Sequence, residues 1–515
     1  VLRYCCKKGA ACMTTLSDPD VSSRLSQFLA SARNNLDGLS IQSGEEIGDE
    51  WRIATFPWAA QPLAILRPAN ADIIAPLLKL AANAQLAVYP VSRGRNWGLG
   101  SRLPTEDALV LDLSGLDRIL ALDMTSGTVR IEPGVTFATL QARLKHEGLA
   151  FHLPSFGGPT DASVLANALE RGEGSGAYGD RFGRMWDLDV ALTTGERLRT
   201  GHTRSGSEQS ASIHARPAGP LIEGLFSQSN FGIVLSATIE LQPTLPYAAA
   251  ILADIGTGEA LDKAVPVLRR LITSGMIAPQ SLVLWDGAKR ASSLVGRYAP
   301  QAKELLSKPN QWGASALIFS PHPDLMRITQ QIVESELSSV ADEITVQSDR
   351  DEKGQRQETI LTGFADGGNV MSGYWGKKVR PDIPGNMDLD RCGFVWLCPV
   401  VPFDAEAIRT VNSILADASQ SERIFAALGL QAISSRALHC YVSLAWDRDE
   451  PEAEKEAMRA HSQITAQLDQ SGFSLYRLGL MDLAHLPRPC QSWNEVCDRL
   501  KTALDPAGIL SPGRT

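Results

Sequence analysis

Apolar positions recur along the chain with two periods, and each period places an element. From Ala71 the residues Ile73, Ile74, Leu77, Leu78 and Leu80 fall on one helical face, and AVYPVS after them has the length of a short buried strand. ALVLDLS at 108–114 and TVRIEPG at 128–134 read as strands, FATLQARLKHEG as a helix, and DLDVALTTGERLRTG as two strands joined at a Thr-Gly turn. From Tyr247 onward AAILADI, SLVLWDG, GASALIFS, GFVWLCPVV and LHCYVSLAW read as strands, separated by helices such as EALDKAVPVLRRLITSG and DLMRITQQIVESEL. The pattern predicts an α+β layered first half and a second sheet with helices on one face. The charged stretch Gln347–Arg356 and the Pro/Gly-containing segment GKKVRPDIPGNMD read as loops inside the second unit, serving as a lid or an oligomer contact. After Glu450 a long charged amphipathic helix leads to GFSLYRLGLMD, and the chain closes with WNEVCDRLKTALDPAGILSPGRT.

At 515 residues the chain exceeds what one core usually supports, so at least two domains are expected. Hydrophobic residues at 44% and charged residues at 21% suit a globular protein and exclude fibrous and disordered classes. The net charge of −9, without an extended basic run, argues against a nucleic-acid partner. Eight scattered cysteines do not form a disulfide framework and fit a reducing compartment. With neither a signal-peptide core nor a membrane-length apolar run, the expected location is the cytoplasm, with no membrane partner. Residues 1–12 read as a non-native leader ahead of Met13, and Cys5, Cys6 and Cys12 are given no role.

Walker, HExxH, paired CxxC and GxSxG motifs are absent, which removes the sequence handle for nucleotide hydrolysis, zinc chemistry and serine hydrolysis. The one GxGxxG match, Gly174–Gly179, follows a helical stretch and opens no helix, so it does not indicate a Rossmann site. The remaining histidines show no metal spacing, and no metal is expected. A more productive pattern is PVSRGRNWGLGSRLP at 90–104, where Gly94, Gly98 and Gly100 follow a strand. Glycines permit close backbone approach, so successive N–H groups can converge on a phosphate, with Arg95 as charge partner; a tight surface loop is the competing reading.

That loop, together with RIEPGVTFATL, SVLANALERGEGSGAYGDRF, DLDVALTTGERLRTG, LIEGLFSQSNFGIVLSATIELQP and the ending LDPAGILSPGR, resembles the flavoproteins of the vanillyl-alcohol oxidase and p-cresol methylhydroxylase family. The motifs cover about Asp49–Pro243 and the last forty or so residues, in the family's order. The resemblance implies an FAD-binding domain of two α/β subdomains at 1–246, a substrate or cap domain with an antiparallel sheet at 247–470, and a C-terminal return segment at 471–515. It implies that FAD's pyrophosphate meets Arg95, Asn96, Gly98, Leu99 and Gly100. Glu132, Pro133, Gly134, Ser163, Asn167, Gly172, Tyr178, Gly179 and Ile233 match the other flavin-lining positions, although Tyr178 and Ile233 read equally as core residues.

In phenol-oxidising members a Tyr-Arg pair binds the substrate as phenolate, and Tyr476–Arg477 match it. A cation about 4 Å from an oxygen contributes roughly 4 kcal/mol at an effective dielectric near 20. That lowers a phenol pKa from ~10 to near 7 before desolvation subtracts its share. Three departures stand beside this match. Leu99 occupies the place of a second phenol-binding tyrosine. The acidic residue near flavin N5 falls at Gly158, with Asp161 three residues on as a substitute base or as a helix cap. The covalent histidine's place falls on Cys440, next to His439; strand alternation lets only one of the two face the flavin. The resulting expectation is non-covalent FAD beside a buried cysteine, with attachment through Cys440 or His439 as alternatives.

The function expected from the resemblance is FAD-dependent removal of a hydride from a benzylic carbon of a para-substituted phenol or related aromatic alcohol, with Tyr476, Arg477 and Asp161 as the reacting residues. Two alternatives are a flavin enzyme acting on a non-phenolic alcohol, amine or secondary-metabolite intermediate, and a flavin-binding interaction protein whose redox chemistry has decayed. The electron acceptor is oxygen or a redox protein, and a homodimer is expected.

Overall fold

A computed structural model describes residues 19–154, 157–294, 311–364, 372–379, 381, 385–483 and 490–514. The expected leader at 1–12 lies outside them. Pro62–Pro68, Ala108–Asp112 and Val88–Val91 pair in parallel, and Leu39–Ser43 adds antiparallel to the first of these. Their near-continuous apolar runs suit a parallel sheet covered by helices, here Pro19–Asn35 and Ile74–Asn83. A second, antiparallel sheet runs in the order Ile119–Asp123, Thr128–Ile131, Ile233–Glu240, Met185–Ala191, Arg197–Arg199, with Phe137–His146 and Val164–Leu169 packed on one face.

The third sheet has eight strands, in the order Glu343–Ser348, Tyr247–Gly256, Trp312–Ser320, Leu282–Trp285, Phe425–Ala432, Ala437–Asp447, Cys392–Pro402, Leu475–Arg477. All its pairs are antiparallel. The helices Leu261–Thr273, Pro323–Leu337, Ala405–Ala418 and Pro451–Gln470 bury their apolar stripes against one face and make the largest core. Gly287–Leu294 departs from the expected one-sided layering, because Ala291 packs with Trp375 and Phe425 away from that core.

Two sequence expectations change. The stretch expected as a loop from Gln347 begins inside the edge strand Glu343–Ser348 and turns only afterwards. The return segment first adds Leu475–Arg477 to the cap sheet, and only Leu510 regains the first sheet, through a parallel bridge to Val88. Among the described residues no helix is long and apolar enough to cross a membrane.

Candidate active site

Alternate residues of the cap strands go to opposite faces. In Ala437–Asp447 the side chains of Leu438, Cys440, Val442 and Leu444 are wholly buried in the helix-covered core, which sends His439 and Tyr441 to the other face. Register carries that second face across the sheet, with His439 opposite Gln431, Tyr441 opposite Gly429, Gly429 opposite Trp285, and Cys398 opposite Arg477. Cys440 is therefore corrected as a flavin contact: the pleat puts it in hydrocarbon.

The polar side chains on this face are linked. The His439 imidazole lies on the Tyr476 ring, with centroids 3.5 Å apart and planes 9° from parallel, and its Nδ1 is 2.8 Å from Oε1 of Glu173. The Tyr441 hydroxyl is 2.9 Å from Oε2 of Glu173 and 2.7 Å from Oε1 of Gln431, so its single proton serves one acceptor at a time. Gln431 donates its amide to the carbonyls of Gly174 and Gln280, at 3.0 and 2.8 Å, which fixes the oxygen toward Tyr441. The Tyr476 hydroxyl acts electrostatically on the Tyr441 hydroxyl and on the Cys398 thiol, lowering both against the effect of burial. Burial holds both tyrosines well above the ordinary 10, helped at Tyr441 by Glu173, so both remain neutral donors. Burial also lowers the Arg181 guanidinium to about 9, against the opposing pull of Glu173.

Three contacts hold the Tyr-Arg strand in place. Gln228 donates to the Tyr476 carbonyl at 2.8 Å and accepts from the Leu478 N–H at 2.9 Å. Arg477 Nη2 donates to Asn96 Oδ1 at 3.0 Å, while its Nε is buried with no acceptor among the described residues. Leu480 donates its N–H to the Leu99 carbonyl at 3.0 Å, so Leu99 is buried backing for the strand.

The glycine loop is seated against the cap. Gly98 has φ +80°, and a Cβ there would stand 2.7 Å from Trp396 and 2.9 Å from Phe394, so a side chain is excluded by conformation and by space. The Gly98 carbonyl accepts from the Trp396 N–H at 3.1 Å, and its N–H donates to Thr55 Oγ1 at 3.0 Å; that hydroxyl donates to the Phe394 carbonyl at 2.7 Å. Asp388 accepts from Trp97 Nε1 at 3.0 Å and Ser101 Oγ at 2.8 Å, and burial lifts its carboxyl to about 6. Among the described residues the successive N–H groups of Gly94, Arg95, Asn96 and Trp97 meet no protein acceptor, and Arg95 Nη1 is buried without one. Four adjacent unpaired donors beside a guanidinium have the chemistry that a diphosphate would need.

The other expected positions divide. Gly134 lies where a Cβ would stand 2.4 Å from the Ser114 carbonyl, and Ser163 donates to the Pro133 carbonyl, so these two turns are locked together. Asn167 Oδ1 accepts from Arg181 at 2.9 Å, and Gly172 packs on the Asn167 amide. Gly179 sits against the Gly174 carbonyl. Glu132, by contrast, is buried toward Arg118, accepting from its N–H and guanidinium at 2.7–3.1 Å, so its side chain is committed elsewhere. The Ile233 side chain belongs to the first core, and the Tyr178 ring lies under Arg184 at 4.0 Å. Asp161 neither joins the tyrosine cluster nor caps the following helix: it is half-exposed and accepts from Arg95 Nε at 2.8 Å, while Ser163 is the cap. Gly158 is half-buried in a bend.

Glu173, Tyr441, Gln431 and Gln228 were not singled out from the sequence. Tyr441 carried a signal, since it is two residues from His439 on a strand and must share its face; Glu173 lies 268 residues from Tyr441, and only folding joins them.

Residues 62–201 match the FAD binding domain model. The chain is 31% identical, over 95% of its length and 97% of the relative's, to 1'-carboxy-chondrochloren decarboxylase of Chondromyces crocatus. It is 24% identical, over 89% and 88%, to the flavoprotein subunit of 4-cresol dehydrogenase [hydroxylating] of Pseudomonas putida. Among solved structures, 4-ethylphenol oxidase from Gulosibacter chungangensis in its isoeugenol complex superposes with a TM-score of 0.83 at 20% identity, covering 98% of both chains.

Proposed function

The chain belongs to the FAD-binding flavoprotein family of vanillyl-alcohol oxidase and p-cresol methylhydroxylase and is an FAD-dependent oxidoreductase, and on that premise we propose that it takes a hydride from the para-benzylic carbon of a 4-substituted phenol. FAD would be held at its diphosphate by the N–H groups of Gly94–Trp97 and by Arg95, with its ring system toward the His439 face of the cap sheet. When bound, it supplies the two-electron acceptor for the hydride.

The observation that carries the reading is Arg477 Nε, buried without an acceptor among the described residues, in a guanidinium whose charge acts on the neutral hydroxyl of Tyr476. A phenolic oxygen placed there receives one charge-assisted hydrogen bond and one neutral one. The arginine's roughly 4 kcal/mol at an effective dielectric near 20 favours the phenolate. The displaced proton has a path through Tyr476 and Tyr441 to Glu173, whose carboxylate is within hydrogen-bond distance of Tyr441. His439 keeps the Tyr476 ring flat and holds the other oxygen of Glu173. With the proton on Glu173 and the benzylic hydrogen gone with its electron pair, the substrate is left as a neutral quinone methide.

The decarboxylase named among the relatives favours a second reading on the same residues. A carboxylate on the carbon next to the benzylic one would leave as carbon dioxide; its C–C electron pair forms the new C=C bond as the ring regains its phenolate. Anaerobic mixing with 4-ethylphenol, 4-hydroxybenzyl alcohol, 3-(4-hydroxyphenyl)propanoate and benzyl alcohol tests both readings. Bleaching of the flavin by the phenols and not by benzyl alcohol is expected, and release of 4-vinylphenol from the acid selects the second. Bleaching by benzyl alcohol alone, or by none of them, overturns both.

A further inference from the structure

Gly287–Leu294 packs on the strand Phe425–Ala432 and carries Lys289, which is only 3% exposed. Its Nζ is 4.8 Å from the centroid of Trp396, itself edge-on to Tyr441 with ring centroids 6.4 Å apart. Gly429, opposite Tyr441, makes room for the lysine: a Cβ there would touch its Cγ at 3.5 Å and its Cε at 3.6 Å. The lysine thus reaches the face that carries the tyrosines.

The Trp396 ring faces this ammonium. Among the described residues Nζ has no hydrogen-bond acceptor and no ion-pair partner. Asp286, three residues back, spends Oδ1 on the Lys289 N–H at 2.6 Å and Oδ2 on the Leu428 N–H at 3.0 Å. Burial raises that carboxyl to about 7 and lowers the lysine to about 8, against their mutual attraction, and no hydrogen bond joins the two through Nζ. A buried ammonium with three unused donors costs several kcal/mol unless something pairs with it.

The sheet sets the span. From the strand of Gly429 to the strand of Arg477 there are three strand steps, about 14 Å at the backbone at roughly 4.8 Å each. The lysine shortens this, because its Nζ reaches the ring of Trp396, on the strand next to that of Arg477. We propose that Lys289 is the anion anchor of the substrate pocket, so that the preferred substrate is a 4-hydroxyphenyl alkanoic acid with its carboxylate at Lys289 and its phenolic oxygen at Arg477. The arginine end rests on the hydride reading given above; the lysine end is independent of it.

Dissociation constants of the holoenzyme for 4-hydroxycinnamate and 4-vinylphenol, measured by calorimetry, test the anchor, because neither has a benzylic sp³ hydrogen to give up. The wild-type protein should bind the acid at least about 30-fold more tightly than the neutral phenol. Lys289→Met should bring that ratio close to one, and Lys289→Arg should keep most of it. A wild-type ratio near one, or a ratio unchanged by Lys289→Met, overturns the proposal, and the wild-type ratio decides alone if the methionine variant does not fold. A Lys289-dependent ratio in a protein whose flavin 3-(4-hydroxyphenyl)propanoate does not bleach keeps the anchor and overturns the hydride reading instead.

Discussion

The two faces of the cap sheet are cut from alternate residues of the same strands, yet one is a hydrocarbon core and the other a set of buried polar groups. Leu438, Cys440 and Val442 lie fully buried under four helices, while His439 and Tyr441 between them meet Glu173, Gln431 and Tyr476. On the first face any apolar side chain of the right volume serves. On the second each group needs a named partner, because an unmatched buried donor or charge is expensive. Stability is therefore concentrated on one side of the sheet and chemistry on the other.

The largest expected effect that would break this division is Arg477→Ala. If the arginine contributes about 4 kcal/mol to the phenolate, kcat/KM for a para-alkylphenol should fall by about 10³-fold. Flavin content and melting temperature should change far less than activity, since the hydrogen bond that the variant loses to protein is the one to Asn96. Loss of flavin in step with activity would make Arg477 a structural residue and erase the contrast.

A smaller effect tests a buried polar group outside the sheet. His152 is 4% exposed, its Nδ1 is 2.8 Å from Thr244 Oγ1, and burial, assisted by Arg356, lowers it from 6.5 to about 4. Above pH 6.5 neither the folded nor the unfolded chain holds that proton. As the pH falls, the unfolded chain accepts it first, so stability is lost between pH 6.5 and about 4, by about 3 kcal/mol in all. Urea midpoints across that window should fall less steeply in His152→Gln than in wild type. An equal slope in both would show that His152 is protonated in the folded protein.

The smallest effect belongs to the core face. Cys440→Ala should cost about 1 kcal/mol and lower the melting temperature by about 1 °C. The fraction of flavin released on denaturation in detergent should not change, because the thiol is buried with the helices. Conversion of bound flavin to free flavin in this variant alone would place Cys440 on the wrong face here.

The sequence showed the core face more fully than the site face, for physical reasons. Leu438, Cys440, Val442 and Leu444 announce themselves by period, as do the helix Ile74–Asn83 and the strand Met185–Ala191. Phe425–Ala432 escaped because FAALGLQA has no β-branched residue and reads as neither period, yet it supplies Gly429 and Gln431. Tyr476 and Arg477 were legible only through resemblance, and the glycine loop through its spacing. Glu173 and Lys289 were not legible at all: one sits in a glycine-rich turn, the other in GAKRASSL, where a lysine reads as a solvated position until Trp396 is folded over it. Asp161 shows the opposite error, an acid near the right place in sequence that folding gives to Arg95.

The seam at Gly98 has a further consequence. Thr55 bridges the loop N–H and the Phe394 carbonyl, the Gly98 carbonyl takes the Trp396 N–H, and Asp388 ties Trp97 and Ser101 to the cap. Separating this loop from the cap means opening several of these buried bonds together, so the loop and the cap are tied to move as one at this seam.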